Sequence, residues 1–215
     1  MSKSELKDLY HRIDMCRSCD LIKLQDKPQE KARPRGTISK TVLLGIAPGK
    51  VEVEQERYFV GPAGKLLQKM LKFAGFKDPD DELYFTNPVK CQSKPEDPES
   101  SKENVVPDPE YCKKCVGLFL KKELQIIQPK ILVFLGKVAA STLLETGESV
   151  PMGELLGKQN IELECREWVR NLPGLEVVMG FYHPSFFLRG KDNDPVFQRA
   201  KDRQWEQLQE LRRLV

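Results

Sequence analysis

Short unbroken apolar runs along this chain alternate with stretches whose apolar residues recur every three or four positions. Leu6, Leu9, Tyr10 and Ile13 fall on one face of a helix over 5–15. Residues 41–44 form an apolar run stopped by Gly45, and Ala47, Pro48 and Gly49 prolong the turn, so the run reads as a buried strand. A second helical period covers 64–75 through Leu66, Leu67, Met70, Leu71 and Ala74. A strand over 83–85 ends at Thr86, Asn87 and Pro88. A helix over 110–127 is stopped by Pro129. The strand 131–135 ends at Gly136 and leads into a helix over 138–144. Residues 161–165 read as an edge strand or hairpin arm. Residues 176–179 read as a core strand just before His183, Pro184 and Ser185. A terminal helix over 194–214 carries Trp205 and Leu208 on its apolar stripe. The stretches 27–40 and 92–109, rich in Pro and charge, read as surface loops.

Strands alternating with helices predict an α/β fold: a three-layer α/β/α sandwich around a central, mainly parallel four-stranded sheet, in one domain over 1–215. Three strands end in polar or turn-rich motifs: Gly45 to Gly49, Thr86 with Asn87, and His183 to Ser185. Open parallel sheets bind ligands beyond the carboxyl ends of their strands, so these motifs are expected to meet in one pocket.

Composition narrows the class. The 215 residues are 40% hydrophobic and 31% charged, enough for a sizeable core and a well-solvated surface. The net charge of +3 is too mild to identify a nucleic-acid binder, although it leaves room for a local basic face. No apolar run is long enough to span a membrane, and Met1 to Tyr10 is too polar for a secretory signal. A cytoplasmic monomer without membrane contact is expected, and in that setting the six cysteines should be thiols or metal ligands.

Cys16 with Cys19, and Cys112 with Cys115, form two C-x-x-C pairs; Cys91 stands alone after the second strand. Spacing by itself suggests a structural zinc held by four thiolates. An iron–sulfur cluster also takes four thiolates, but the spacing is not that of a ferredoxin. Cys165 reads as a small buried hydrophobe.

Read in order, the motifs resemble family four, the iron–sulfur branch, of the uracil-DNA glycosylase superfamily. The resemblance runs from Cys16 to about Arg189. It covers Cys16-x-x-Cys19; Gly45-Ile46-Ala47-Pro48-Gly49 with Glu52 shortly after; Tyr58-Phe59-Val60-Gly61-Pro62-Ala63-Gly64-Lys65; Thr86-Asn87-Pro88-Val89-Lys90-Cys91; Leu135-Gly136-Lys137-Val138-Ala139-Ala140; and Tyr182-His183-Pro184-Ser185-Phe186-Phe187-Leu188-Arg189. Each motif alone is weak; their order makes the signal specific. The resemblance implies excision of uracil from DNA by hydrolysis of the N-glycosidic bond, as a DNA-repair enzyme of base excision. It also implies a 4Fe–4S cluster on Cys16, Cys19, Cys91 and Cys115, tying the N-terminus and a loop to the sheet. Counted back from Pro129, Cys115 suits the ligand position better than Cys112, which is left as an extra thiol that could exchange into the site.

The resemblance also distributes roles. Such an enzyme flips the nucleotide out of the duplex and reads the base in a tight pocket. Uracil offers flat faces and an N–H between two carbonyls, so a reader needs an aromatic platform and a side-chain amide. Phe59 is the candidate platform, against the ordinary reading of a core phenylalanine. Asn87 is the candidate amide, beside the alternative of an Asx-turn before Pro88. Gly45, Ala47 and Gly49 complete the uracil site, with Gly49 allowing close backbone approach. His183 is the candidate catalytic donor to the uracil anion as it leaves. Glu52 is the second catalytic candidate, orienting either water or a backbone element. This chain has Ile46 where the family commonly carries a glutamate, and Ala47 offers no base. Ser185 and Arg189 are expected on DNA phosphates, and Leu188, with Phe187 beside it, as a wedge into the base stack. Two rival readings stand beside this one: a protein that captures uracil-DNA without turnover, and a zinc-stapled nucleic-acid-binding module with no activity.

Overall fold

Neighbouring side chains in the central strands supply two different cores, because a strand sends successive residues to opposite faces. The computed structural model describes residues 3–24, 31–95, 99–100, 104–145, 147, 149–190 and 194–215. Its strands are β1 (Arg35–Gly36), β2 (Thr41–Leu44), β3 (Tyr84–Thr86), β4 (Ile131–Leu135), β5 (Gly157–Gln159) and β6 (Val177–Phe181). They form one sheet in the order β1-β3-β2-β4-β6-β5. The inner four pair in parallel, and β1 and β5 close the two edges antiparallel.

The helices are α1 (Lys3–Asp14), α2 (Lys50–Glu54), α3 (Pro62–Phe73), α4 (Pro79–Glu82), α5 (Pro109–Cys115), α6 (Lys121–Ile127), α7 (Lys137–Leu143), α8 (Ile161–Glu164), α9 (Glu167–Arg170), α10 (Pro184–Phe187) and α11 (Pro195–Leu214). Val42, Leu44, Leu132, Phe134 and Val178 pack with Leu6, Leu9 and Ile13 of α1, Leu124 of α6 and Ala139 and Leu143 of α7. Leu43, Val133, Leu135, Met179 and Phe181 pack on the other face with Leu67 and Leu71 of α3 and Leu208 and Leu211 of α11. Helices therefore cover both faces, the three-layer arrangement that the alternation of elements predicts. Among the described residues no helix is long and apolar enough to cross a membrane.

Several expectations need correction. Among the described residues the sheet has six strands, not four, and it is mixed. β1 lies inside the stretch read as a loop, 27–40. Two residues cannot show a periodicity, and β1 is held from a distance, by the Arg35–Asp80 ion pair at 2.7 Å. Gly36 adds a backbone approach (φ 87) so close that a Cβ would lie 2.0 Å from the Leu83 carbonyl oxygen.

Residues 161–165 form no edge strand; that place belongs to β5. The Asn160 side chain accepts hydrogen bonds from the N–H groups of Glu162 and Leu163 and turns the segment into α8. Cys165 is fully buried in the first core and makes an isolated bridge with Leu144, as a small hydrophobe would.

The helix expected over 110–127 is interrupted. A π-helical turn, Val116–Leu120, separates α5 from α6 and begins directly after Cys115. The surface loop expected over 92–109 starts with two buried residues, Gln92 and Ser93. Its residues 96–98 and 101–103 lie outside the described set, as do 25–30 of the first loop.

Candidate active site

The carboxyl ends of β3, β2, β4 and β6 share one edge of the sheet. Gly45 follows β2, and its N–H donates to the Thr86 carbonyl at 2.9 Å, stitching the β2 and β3 ends together. The Val89 N–H donates to the Ile46 carbonyl at 3.1 Å and continues the seam. A Cβ at Gly45 would lie 2.4 Å from Asn87 Oδ1 and 2.7 Å from Phe59 Cζ. The Asn87 amide oxygen and the tip of the Phe59 ring thus both pack onto the backbone of Gly45, closer than any side chain at residue 45 would allow. Both residues are buried.

Phe59 is held in an uncommon conformation. Its φ of 57° is left-handed, costly for an aromatic residue and sustained only by firm surroundings. Arg35 Nη1 donates to its carbonyl at 2.6 Å, while Arg35 Nε pairs with Asp80, which also accepts from Arg57 Nη2 at 2.8 Å. Gly64, in the first turn of α3, passes under the same carbonyl: a Cβ there would lie 2.1 Å from Phe59 O. The ring leans on Phe85, with centroids 5.6 Å apart and planes at 52°. Sequence reasoning singled out Phe59 but missed Arg35, Asp80 and Gly64. The glycine inside the Gly61-Pro62-Ala63-Gly64 motif was the one available signal.

Glu52 is committed to the backbone. Its Oε1 accepts the Gly61 N–H at 2.8 Å, at the N-cap of α3, and a Cβ on Gly49 would lie 2.7 Å from Oε2. The carboxylate therefore joins the turn after β2 to the start of α3. Ala47 is half-buried and packs on the group of cysteines.

His183 stands beyond β6 at the N-cap of α10. The Ser185 N–H donates to His183 Nδ1 at 3.2 Å, and Ser185 Oγ lies 2.8 Å from the same nitrogen. Because Nδ1 accepts, Nε2 carries the proton of the neutral ring. Burial, with a smaller contribution from the positive charge of Arg189, lowers the imidazole pKa to about 4. Gly136, at the end of β4, makes room for this residue: with φ 85, a Cβ there would lie 2.8 Å from His183 Cβ. Leu188 is half-exposed at 50%, so it is no core residue, and Arg189 is exposed. Phe187 packs instead with Tyr182, Phe186 and Phe197.

Behind Asn87 lies a buried polar network that the sequence reading did not find. Lys90 Nζ donates to the Asn87 carbonyl at 2.7 Å, to Thr86 Oγ1 at 3.0 Å and to Glu123 Oε2 at 2.5 Å. Glu123 Oε1 accepts from Tyr10, Tyr84 and Thr86, each at 2.9 Å. Tyr10 and Tyr84 also hydrogen-bond to each other. Burial first, then Glu123, raises both phenols well above their ordinary value.

The thiols gather beside this network. Cys91, Cys112 and Cys115 are buried with Leu21 and Val89, and Cys19 packs against them. Burial raises Cys91 to about 12 and raises Cys115 as well; Cys115, Cys19 and Cys16 add to the first, and Cys19 and Cys16 to the second. Cys112 is raised to about 11 by burial, then by Cys115 and Asp108. The backbone N–H of Lys90 hydrogen-bonds Cys115 and opposes the rise there. Cys16 and Cys19 thus lie close enough to Cys91 and Cys115 to disfavour their thiolates. Among the described residues, however, no three His, Cys, Asp or Glu side chains stand at the spacing of a single metal ion.

Residues 36–209 match the family model of the uracil DNA glycosylase superfamily. The chain belongs to that superfamily. It is 32% identical to the type-4 uracil-DNA glycosylase of Archaeoglobus fulgidus over 190 residues, 85% of this chain and 83% of that protein. It is 31% identical over 194 residues to the type-4 enzyme of Thermotoga maritima, spanning 90% of this chain and 88% of the relative. It is 29% identical over 190 residues to that of Pyrobaculum aerophilum, spanning 86% and 85%.

Proposed function

We propose that the protein is a monofunctional uracil-DNA glycosylase. It hydrolyses the bond between uracil and deoxyribose in DNA and leaves an abasic site. The observation that carries this reading is the meeting of the Asn87 amide and the tip of the Phe59 ring at Gly45, directly beyond the carboxyl end of β2. An amide oxygen and NH₂ match uracil's N–H and carbonyl, whereas cytosine presents them exchanged. The type-4 enzymes named above support the same reading.

His183 lies across the sheet edge from this pair. Gly45 and His183 follow strands separated by β4, so their backbones are about 10 Å apart. A flipped base fits between the side chains that reach inward from the two sides. The neutral ring donates its Nε2–H to uracil O2 while the N1–C1′ bond breaks and the electron pair leaves with the base. Water then bonds to C1′. A preorganised donor of this kind lowers the barrier by about 3–4 kcal/mol. Ile46 and Ala47 bear no acid and Glu52 is bonded to Gly61, so leaving-group stabilisation carries most of the rate. Leu188 supplies the apolar wedge, and Arg189 with Ser185 meets the phosphates.

The donor set fits a 4Fe–4S cluster held by Cys16, Cys19, Cys91 and Cys115. Four thiols converge from three separate stretches of chain, and each of Cys91 and Cys115 responds to Cys16 and Cys19. A single tetrahedral ion would draw the sulfurs to about 3.8 Å from one another, whereas a multi-iron cluster holds them further apart. When bound, the cluster cross-links the chain. Cys91 lies four residues beyond Asn87 and Ala47 packs on the thiols, so the cross-link braces the uracil pocket.

The test is turnover of an oligonucleotide with one uracil, by anaerobically purified protein whose iron is measured. Alkali-sensitive breaks at uracil over many turnovers are expected. Tight binding of uracil-DNA without breaks, with iron present, would assign the protein to capture instead and point to Ile46.

A further inference from the structure

A cleft of about 900 Å³ opens between α5–α6 and α7. This is the size range of ligand sites. Its charged walls are Lys113, Lys121, Lys137 and Arg166 against the single carboxylate of Glu110. In a chain of 35 basic and 32 acidic residues, that is a strong local excess. Arg166 is partly engaged, with Glu145 at 3.4 Å and the Ser141 carbonyl. Among the described residues no carboxylate pairs with Lys113, Lys121 or Lys137. Lys121 Nζ instead lies over the Trp168 ring, 5.5 Å from its centroid. That contact orders the ammonium without neutralising it.

The cleft continues from the active-site edge. Lys137 directly follows Gly136, the residue against which His183 packs. Val138 lines the cleft and also packs on the thiol group.

We propose that this cleft is a second nucleic-acid site, which takes the single-stranded flank of the DNA whose uracil occupies the pocket. The proposal rests on the glycosylase reading for the identity of the strand. Ammonium groups spaced along a groove bind successive phosphates whatever the base sequence. An acidic protein segment would present carboxylates at irregular spacing and would have no reason to begin at the active-site edge.

The test compares wild-type protein with Lys113→Glu/Lys121→Glu by fluorescence anisotropy, using single strands of about five and about thirty nucleotides, each with one non-excisable 2′-fluorinated deoxyuridine, over a range of salt. The long strand is expected to bind the variant at least tenfold more weakly, with a salt slope shallower by about one unit. The short strand, which cannot span pocket and cleft together, should lose less than twofold. Lys121→Gln, milder and still able to lay its stem on Trp168, should show part of the same change if the double variant folds poorly. Unchanged long-strand affinity and slope would overturn the proposal in favour of an acidic protein partner. Equal losses on both strands would overturn it by placing the defect outside the cleft. Excision of uracil, assayed on the same wild-type sample, judges the glycosylase reading separately, because the binding comparison needs no turnover.

Discussion

Gly64 lies directly beneath the carbonyl of Phe59: a Cβ at Gly64 would stand 2.1 Å from that oxygen and 2.5 Å from Phe59 Cα. The contact is backbone on side-chain space, so no rotamer change can relieve it. Alanine in place of a helical glycine ordinarily stabilises by about 0.5–1 kcal/mol. Here the sign reverses. Gly64→Ala is expected to destabilise by about 2–3 kcal/mol through overpacking and to weaken uracil-DNA binding, because Phe59 must move. Chemical denaturation alongside KM measures both, and a stabilised variant would show that the Phe59 turn is not held as described.

Gly45 presents the opposite case. Its forbidden contacts are with the Asn87 amide and the tip of Phe59, both side chains. Gly45→Ala should therefore still fold, at a cost of about 1–3 kcal/mol for displacing two buried side chains. It should nonetheless lose at least a hundredfold in kcat/KM, since the added methyl pushes the Asn87 amide and the Phe59 ring out of their places. Equal losses of fold and activity would contradict this division.

The half-buried imidazole links stability to pH. Its pKa falls from the ordinary 6.5 to about 4 in the folded protein, so between those values the unfolded chain binds the extra proton. Stability due to His183 is thus complete above pH 6.5 and declines as pH falls towards 4. Between pH 7 and pH 5 the wild type should lose about 2 kcal/mol more than His183→Gln. The same variant should lose about a hundred- to a thousandfold in turnover. The kcat/KM profile of the wild type should show no imidazole titration near pH 6.5.

Lys90 and Glu123 are 33 residues apart in the chain and almost wholly excluded from water. Removing one charge strands the other. Glu123→Gln is expected to cost about 3–5 kcal/mol, and Lys90→Met/Glu123→Gln to recover much of that loss, because it removes both charges and keeps an acceptor for the hydroxyls. A double-mutant cycle by denaturant unfolding reads the coupling. Because Lys90 also holds the Asn87 carbonyl, the double variant should still discriminate uracil from cytosine less well than the wild type.

The two candidates for the fourth ligand separate by iron content. Cys115→Ser should lose most of its bound iron and unfold at lower temperature, whereas Cys112→Ser should keep its iron. The reason is that Cys115 responds to Cys16 and Cys19, while Cys115 is the one cysteine that acts on Cys112. Chelation of iron from the wild type should likewise loosen α1 and the Cys91 segment.

Local pattern alone determined the inner part of this fold. The runs at 41–44 and 131–135 have the bounds of β2 and β4, because both are short, β-branched or apolar throughout and stopped by glycine. The motifs at the strand ends singled out Gly45, Asn87 and His183, the family resemblance singled out Phe59, and parallel strands bring their carboxyl ends to one edge. The edge strands were beyond reach. β1 is too short to carry a period, and the apolar residues over 161–165 include Leu163, which is 78% exposed in α8. Tertiary structure also decided what each polar group touches: Arg35 on the Phe59 carbonyl, Glu52 on the Gly61 amide, Lys90 on Glu123, Ser185 on the imidazole. Periodicity records which face of an element is buried. The partner of a buried charge is set by how distant elements stack, and by the cost of leaving that charge without a counter-charge in a dry interior.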